Sequence, residues 1–346
     1  MLLRVIRLLT TATVLLTAAT GCTTAASVSP SPTTTESHQH RPMMNFDQLE
    51  WTSFDGATFP FRYWKAERSA TRALVVAVHG LNGSTRDFDT LAKKFATQGV
   101  TTLAYEMRGQ GNDPEPRRIG DIRRTSDWKR DLHTFVALAR QSHPDTPVFL
   151  FGESLGALIA VHSLTSLPEP DKRIAGLMLA SPVVTLKGKI SLPKQLALQI
   201  GALMLPRYQL PFTDLSGQSP EEMMVTSDAS LHTSSEQTPW LVSEFSLRFI
   251  ATVGRMVNGM IPRAPRITSP TLVLSGHKDV VMNPDDIQRF VDALPDQLTT
   301  HVDYPEGHHL LLYDNVSQSV IDDTCHWLDA QLELLESSSP AASQND

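Results

Sequence analysis

Five consecutive residues near the middle of the chain have the types and spacing of a serine nucleophile. Residues 152–156 read Gly-Glu-Ser-Leu-Gly, and they join the apolar run Val148–Phe151 to an apolar helical pattern. Strand, sharp turn and helix in this order form a nucleophile elbow, which exposes the serine hydroxyl above a sheet edge. Glycines flank the serine because side chains there would collide with the neighbouring strand and helix. Ser154 is therefore the candidate nucleophile.

A serine nucleophile needs a histidine to take its proton and a carboxylate to hold that histidine in the correct tautomer. Asp279 follows the predicted strand Thr271–Ser275 and is the candidate acid. Its near competitors, Asp285 and Asp286, stand in the first turn of a predicted helix, where acidic residues belong for capping. The expected chain order, serine then acid then histidine, agrees with Asp279.

The candidate histidines follow the last predicted strand, Thr299–Tyr304. His308 and His309 are adjacent, and the residue types alone allow either to act as the base. His277 lies beside the candidate acid and is interpreted as a loop residue.

Backbone donors for a developing oxyanion are expected on both sides of the serine. One is the N–H of Leu155, directly after the nucleophile, and the second comes from the loop that follows the strand Leu74–Val78. Leu81 is the candidate donor in that loop. His79 precedes it and is interpreted as shaping the loop, without a part in the proton transfer.

The elements that must position these residues alternate between strand and helix. A hairpin pattern around Asp55-Gly56 comes first, and the later runs predict a mostly parallel sheet with helices on both faces, an α/β fold. Ser126 is the candidate cap of one helix. The predicted strands are 48–53, 58–64, 74–78, 101–105, 148–151, 174–179, 271–275 and 299–304. The predicted helices are 88–98, 126–141, one that begins at Leu155, one that opens at 283–286, and 316–335.

The alternation stops between Val183 and Pro265, where Lys187–Pro206 and Trp240–Ile261 look helical and apolar. We interpret this stretch as a helical cap inserted over the carboxyl edge of the sheet; helices that merely complete the core are the alternative. The expected organisation is a signal peptide at 1–21, a linker at 22–42, hydrolase core at 43–182, cap at 183–265, core at 266–336 and a frayed tail at 337–346.

The N-terminal segment has the pattern of an export signal. Arg4 and Arg7 precede an apolar run and small residues that end at Cys22. The end of this run resembles the lipobox of bacterial lipoproteins, with Ala19 in place of the usual leucine. That resemblance implies lipidation of Cys22 and a membrane-anchored, extracytoplasmic protein of the cell envelope. The Ser/Thr/Pro-rich stretch that follows has too few apolar residues to fold and is interpreted as a tether.

Composition fits one large globular core and argues against nucleic-acid binding. The chain has 346 residues, 41% of them hydrophobic, and a formal net charge of -7. No basic stripe with interleaved aromatic residues is present in the sequence. Of the two cysteines, Cys325 lies in the final helical pattern and is interpreted as a buried apolar residue.

Several motifs together resemble the α/β-hydrolases of the monoacylglycerol lipase and lysophospholipase type, also grouped with serine aminopeptidase-like hydrolases. The family pattern Tyr-Pro-Gly-Ala-Arg-His, laid on residues 304–309, places the catalytic histidine at His309 and an arginine at the position of His308. Glu153 stands where histidine is common, and the loop 108–113 lacks the family's serine. The motifs that carry the resemblance are HGLNGSTRDFDTLAKKFATQGV, YEMRGQGND, FGESLGALIA, SGHKDVV and YPEGHHLLLYD.

The resemblance implies hydrolysis of carboxylic esters of lipids by a Ser154-His309-Asp279 triad, with no metal or organic cofactor. Two other hypotheses stay open at this point. One is a peptidase or amidase on the same fold, and the other is a non-catalytic envelope lipoprotein that keeps the fold as a binding module.

Overall fold

The structure, a computed structural model, describes residues 41–68, 70–166, 174–185, 192–211, 224–227 and 240–338. The predicted signal peptide, Cys22 and the linker up to residue 40 lie outside the described residues. The same holds for the tail from residue 339 onwards. None of the helices in the described ranges is long and apolar enough to cross a bilayer.

A central sheet runs through the described part of the chain in the order β1-β2-β3-β5-β4-β6-β7-β10-β11. The first three strands pair antiparallel, β3 joins β5 antiparallel, and the strands from β5 to β11 are parallel. A separate antiparallel pair joins β8 to β9. The strands are β1 (Met43–Asn45), β2 (Glu50–Thr52), β3 (Thr58–Trp64), β4 (Ala73–Val78), β5 (Val100–Tyr105), β6 (Val148–Glu153), β7 (Ile174–Ala180), β8 (Gln209–Pro211), β9 (Glu244–Ser246), β10 (Thr271–Gly276) and β11 (Thr299–Tyr304).

Helices connect the parallel strands, as crossover connections require. They are α1 (Asp89–Thr97), α2 (Thr125–Ser142), α3 (Leu155–Leu164), α4 (Leu192–Met204), α5 (Leu247–Asn258), α6 (Met260–Arg263), α7 (Pro284–Ala293) and α8 (Ser317–Ser338). Short 3₁₀ turns lie at Thr85–Phe88, Pro116–Arg118, Ala264–Arg266, Asp296–Leu298 and Leu311–Tyr313.

The sheet is buried on both faces because successive residues of a strand point to opposite sides. In β4, Leu74 and Val76 belong to one apolar cluster, and Val75 and Ala77 belong to another. Residues of α2 and α3 complete the first cluster, and residues of α1 and α8 complete the second. The predicted α/β-hydrolase fold, a mostly parallel sheet with helices on both faces, is confirmed.

Two local predictions were wrong. The second helix begins at Thr125 with Arg124 as its N-cap, so Ser126 lies inside the first turn and does not cap it. The buried Trp128 donates its indole N–H to the carbonyl of Arg108 at 2.9 Å, and this tertiary contact pins that turn. Similarly, the segment 240–246 is not helical, because β9 pairs with β8 before α5 begins.

The described residues between β7 and β10 pack unevenly against the core. Phe249 and Met256 of α5 are buried in the cluster that contains α2 and α3. By contrast, α4 leaves Leu196 and Leu203 exposed, at 62% and 80% of their surface. The division of the chain into core, cap and tail stays a prediction, although α8 extends to Ser338, two residues into the predicted tail.

Candidate active site

Ser154 occupies a strained turn between β6 and α3. Its φ of 51° and ψ of -111° lie in a region that residues with a side chain rarely adopt. A Cβ on Gly152 would lie 2.8 Å from the backbone of Ala157, and one on Gly156 would overlap the carbonyl oxygen of Val78. Only glycine therefore fits at positions 152 and 156, two residues before and two residues after Ser154. The Ser154 N–H donates to the Ala180 carbonyl at 2.9 Å, which ties the turn to the end of β7.

A continuous chain of hydrogen bonds links Ser154, His309 and Asp279. The Nε2 atom of His309 lies 2.9 Å from the Ser154 Oγ, and its Nδ1 lies 2.7 Å from the Asp279 Oδ2. All three residues are buried, with 7%, 5% and 3% of their surface exposed, respectively. They follow β6, β11 and β10, and the carboxyl ends of these parallel strands share one edge of the sheet.

The Asp279 carboxylate is held by the backbone of its own loop. Its Oδ1 accepts the N–H groups of Val281 at 2.7 Å and Met282 at 3.0 Å. Burial by itself would raise the pKa of this carboxyl, but His309 and the two backbone donors outweigh burial and lower the pKa. Asp279 is therefore ionised at neutral pH and accepts a hydrogen bond from the Nδ1–H of His309.

The other sequence candidates lie elsewhere. His308 turns away from Ser154, and its Nδ1 lies 3.0 Å from the Asp314 Oδ2. Asp286, at the start of α7, accepts hydrogen bonds from the side chains of Thr185 and Arg289. His277 is exposed, with its Nδ1 3.3 Å from Asp303.

The loop after β4 lies directly against Ser154. A Cβ on Gly80 would come within 3.2 Å of the Ser154 Cβ. Leu81 follows in this loop, and within the described ranges neither its N–H nor that of Leu155 donates to a protein acceptor. Asn82 adopts a left-handed φ of 59° and donates its N–H to the Gln110 Oε1 at 3.1 Å. The N–H of Leu155, at the start of α3, and that of Leu81, in the loop that Gln110 holds through Asn82, therefore remain the candidate oxyanion donors.

His79 supports this loop as a neutral imidazole whose tautomer is set by its neighbours. The Met107 N–H donates to the His79 Nε2 at 3.1 Å, so the ring proton is on Nδ1 and donates to the Gly80 carbonyl at 2.9 Å. The ring is fully buried and its hydrogen bonds go to Gly80 and Met107, so it holds the loop and does not contact the Ser154 hydroxyl.

Three acidic residues close to the elbow, Asp87, Glu106 and Glu153, were not predicted as part of the site from the sequence, and the last two are buried. Asp87 accepts the Ser84 N–H and the Tyr313 hydroxyl, each at 2.8 Å. Glu106 accepts the Thr85 N–H at 3.1 Å and the Thr85 hydroxyl at 2.7 Å. Serine followed three residues later by an acid is a capping-box signal, and Ser84 with Asp87 has that spacing. That pattern could have identified Asp87 before the structure.

Glu153, directly before Ser154, is the most unusual member of this group. It is 1% exposed, and its Oε1 has no hydrogen-bond partner among the described residues. Burial, together with the nearby negative charge of Asp87, raises the pKa of the Glu153 carboxyl to about 8. The carboxyl is therefore mostly protonated at neutral pH, which keeps a negative charge away from the elbow.

Glu153→Gln is expected to make the protein more stable at neutral and alkaline pH. A carboxyl whose pKa is raised on folding stabilises the protein below its unfolded pKa, and that stability is lost as the pH rises towards the folded pKa of about 8. The variant cannot ionise, so its free energy of unfolding should exceed the wild-type value by roughly 3 kcal/mol at pH 7 to 8. The difference in free energy of unfolding should shrink as the pH falls towards 4.5, the ordinary pKa of a glutamate side chain.

Urea unfolding at a series of pH values measures this difference. Glu333→Gln, in an exposed position of α8, is the matched control and should leave the pH dependence unchanged. A Glu153→Gln variant with the wild-type pH dependence would contradict the assignment of a protonated carboxyl.

Metal ligands are not grouped near the site. Within the described ranges, no three His, Cys, Asp or Glu side chains lie close enough together to hold a metal ion.

Comparison with known proteins identifies the family. Residues 69–316 match the sequence model of the family described as serine aminopeptidase, S33. The chain belongs to this family. The prediction of an α/β-hydrolase of the monoacylglycerol lipase and lysophospholipase type is confirmed, and with it the class of enzyme, an esterase or lipase.

Relatives in this class resemble most of the chain. The monoglyceride lipase of Rattus norvegicus is 25% identical over 289 residues, which cover 81% of this chain and 89% of the relative. Phospholipase YtpA of Bacillus subtilis is 25% identical over 221 residues, which cover 64% of this chain and 80% of the relative.

Solved structures share the fold. A soluble variant of the monoglyceride lipase of Saccharomyces cerevisiae, in complex with a substrate analogue, superimposes with a TM-score of 0.69 at 20% identity, covering 88% of this chain and 99% of that one. A carboxyl esterase from Bacillus coagulans gives a TM-score of 0.71 at 17% identity, covering 82% and 98%.

Proposed function

We propose that this protein is a serine hydrolase that cleaves carboxylic esters of lipids through a Ser154-His309-Asp279 triad and an acyl-enzyme. The observation that carries the proposal is the pair of hydrogen bonds, 2.9 Å and 2.7 Å long, that joins the three side chains at the carboxyl edge of the sheet. The strained turn that holds Ser154 adds to it, since such strain is typical of a nucleophile elbow.

The proton transfers follow from the contacts of His309. Ionised Asp279 accepts a hydrogen bond from the Nδ1–H of His309, and the proton stays on Nδ1, so the Nε2 is free to accept the Ser154 hydroxyl proton. As the serine oxygen attacks the ester carbonyl, the imidazole becomes positively charged beside the Asp279 carboxylate, and this pairing stabilises it. The imidazolium then donates its Nε2 proton to the departing alkoxide, and the alcohol leaves.

The second half of the reaction uses the same groups in reverse. A water molecule gives a proton to the His309 Nε2 and attacks the acyl-enzyme, and the protonated imidazole returns that proton to the Ser154 oxygen. In both halves, the N–H groups of Leu81 and Leu155 are the proposed donors to the oxyanion. Each such donor is typically worth about a hundredfold to a thousandfold in kcat.

Lipid esters are the favoured substrates because the named relatives include monoglyceride lipases and a phospholipase. The family description, a serine aminopeptidase, favours the rival hypothesis of peptide or amide hydrolysis on the same fold. The triad would attack either bond, so the choice depends on what the insertion between β7 and β10 admits.

Hydrolysis of p-nitrophenyl esters from acetate to palmitate, of monoacylglycerol and of aminoacyl arylamides by the purified protein tests the proposal. We expect turnover to peak at medium or long acyl chains and to extend to monoacylglycerol. Cleavage of arylamides with little preference for longer esters would favour the peptidase. Absence of turnover together with absence of labelling by a fluorophosphonate would favour a binding module.

We further propose that the protein is anchored in the cell envelope by acyl chains on Cys22. Arg4, Arg7, the apolar run and the lipobox-like end of the signal support this proposal. Cys22→Ser is expected to abolish acylation and to leave the precursor unprocessed. Metabolic labelling with a palmitate analogue and membrane fractionation measure both effects. A variant that stays in the membrane fraction with normal processing would refute lipidation.

A further inference from the structure

Three consecutive residues of the loop that carries His309 are fixed by hydrogen bonds to their backbone. The His308 N–H donates to the Asp314 Oδ2 at 2.5 Å, and the His309 carbonyl accepts the Ser181 hydroxyl at 2.6 Å. The Leu310 N–H donates to the carbonyl of Val225 at 2.8 Å. The first two partners belong to the loop and to the end of β7. The third lies in the insertion between β7 and β10.

Asp314 accepts further hydrogen bonds, some from its own loop and others from the insertion. Its Oδ2 also lies 3.0 Å from the His308 Nδ1, and its Oδ1 accepts the Asn315 N–H at 2.8 Å. From the insertion, the Ser227 N–H donates to the same Oδ1 at 3.1 Å, and the Ser227 hydroxyl donates to it as well. Burial by itself would raise the pKa of Asp314, but these donors lower it to about 2. The side chain is an ionised, fully buried acceptor.

The insertion contributes a second contact to the same loop. Thr226 is fully buried, and its hydroxyl donates to the carbonyl of Tyr313 at 3.0 Å. Residues 225–227 therefore run along the loop 308–314 and bond to it at Leu310, Tyr313 and Asp314. We call residues 225–227 the clamp segment.

We propose that Asp314 and the clamp segment are positioning elements for His309, so that the placement of the general base depends on the insertion between β7 and β10. This inference rests on the proposed function, because it assumes that His309 takes the Ser154 proton. His309 itself is bonded to the clamp segment only through its neighbours, so the clamp acts on the backbone and touches neither substrate nor reacting atoms.

The clamp has a kinetic consequence because proton transfer depends steeply on geometry. A displacement of about 1 Å in a catalytic group can cost on the order of a hundredfold in rate. Ser227→Ala removes one donor to Asp314 and one acceptor of the Asn315 N–H, and it leaves the backbone contact of Val225 with Leu310, so we expect kcat to fall about tenfold with KM within about twofold of the wild type. Asp314→Asn removes the charge and one acceptor atom, so the loss in kcat should be larger.

Readouts other than stability separate positioning from a merely structural role. The rate of inactivation by a fluorophosphonate should fall in parallel with kcat. The low-field proton resonance of the His309-Asp279 pair should broaden or shift in Ser227→Ala. Ser227→Thr, which keeps the hydroxyl, should restore both. Ser269→Ala is the control: it removes a serine hydroxyl that donates to the backbone carbonyl of Ile174 and, among the described residues, has no hydrogen bond to the loop of His309.

The outcomes distinguish failure of the clamp from failure of the triad. Suppose that Ser227→Ala and Asp314→Asn keep the wild-type kcat, inactivation rate and proton resonance while Ser154→Ala is inactive. The proposal that the clamp segment positions His309 is then wrong, and the proposed triad stands. If Ser154→Ala keeps full activity, the proposed function itself is wrong. If Asp314→Asn does not fold, the comparison of Ser227→Ala with Ser227→Thr decides whether the clamp segment positions His309. A fall in unfolding midpoint without a change in kcat would also overturn the inference.

Discussion

Ser154→Ala is expected to lower kcat for ester hydrolysis by about 10⁴-fold or more, with little change in stability. The substitution removes the oxygen that forms the acyl-enzyme, and rates that remain in such variants come from substrate binding and oxyanion donors alone. The Ser154 hydroxyl makes its hydrogen bond to His309, whereas the strained turn is held by the backbone contact to Ala180. Steady-state hydrolysis of a p-nitrophenyl ester and covalent labelling by a fluorophosphonate measure the loss.

Ser163→Ala is the matched control for this prediction. Ser163 lies on the helix that follows the nucleophile, is fully buried, and has no partner for its hydroxyl among the described residues. Its removal should leave kcat and labelling unchanged. Equal activity of the Ser154→Ala variant and the wild type would exclude the proposed mechanism.

Asp279→Asn is expected to lower kcat by about 10⁴-fold while the fold is kept. The amide oxygen can still accept the N–H groups of Val281 and Met282, so the amide nitrogen would face the Nδ1 of His309. An amide nitrogen donates and cannot accept, so the imidazole would adopt the tautomer with its proton on Nε2. That nitrogen would then point a proton at the Ser154 hydroxyl and could not remove one.

Asp285→Asn provides the same change of residue on a nearby exposed acid at the start of α7 and should keep wild-type kcat. Steady-state kinetics compare the two variants, and nitrogen NMR of the imidazole reports the tautomer. A loss of activity in Asp285→Asn equal to that in Asp279→Asn would contradict the assignment of the acid.

The elbow was predictable because its pattern is local: Gly152, Ser154 and Gly156 lie within five residues. The collision that requires glycine at 152 involves the helix that follows, whereas the collision at 156 involves Val78 at the end of β4, which only the structure shows. The positions of Asp279 and the two adjacent histidines followed from a further rule, that the carboxyl ends of parallel strands meet at one edge. Local spacing and this rule together predicted that Ser154, Asp279 and one of the two histidines lie at the same edge of the sheet.

The choice between His308 and His309 could not be made from residue types. The family pattern favoured His309, and in the structure His309 lies between Ser154 and Asp279 while His308 contacts Asp314. Adjacent residues of an irregular loop have no periodicity that predicts the direction of a side chain. The backbone partners of the loop, which come from β7 and from the insertion, set that direction.

Sequence alone determined the class of fold, the sharp turn around Ser154 and the loops that carry Asp279 and His309, since each follows from short-range patterns of apolar residues and glycine. Only the tertiary structure decided the tautomer of His79, the burial of Glu153 beside Asp87, and the contact of the clamp segment with the loop of His309. These features depend on groups that are distant in sequence, and the free energies of burial and hydrogen bonding that govern them exist only once the sheet has brought those groups together.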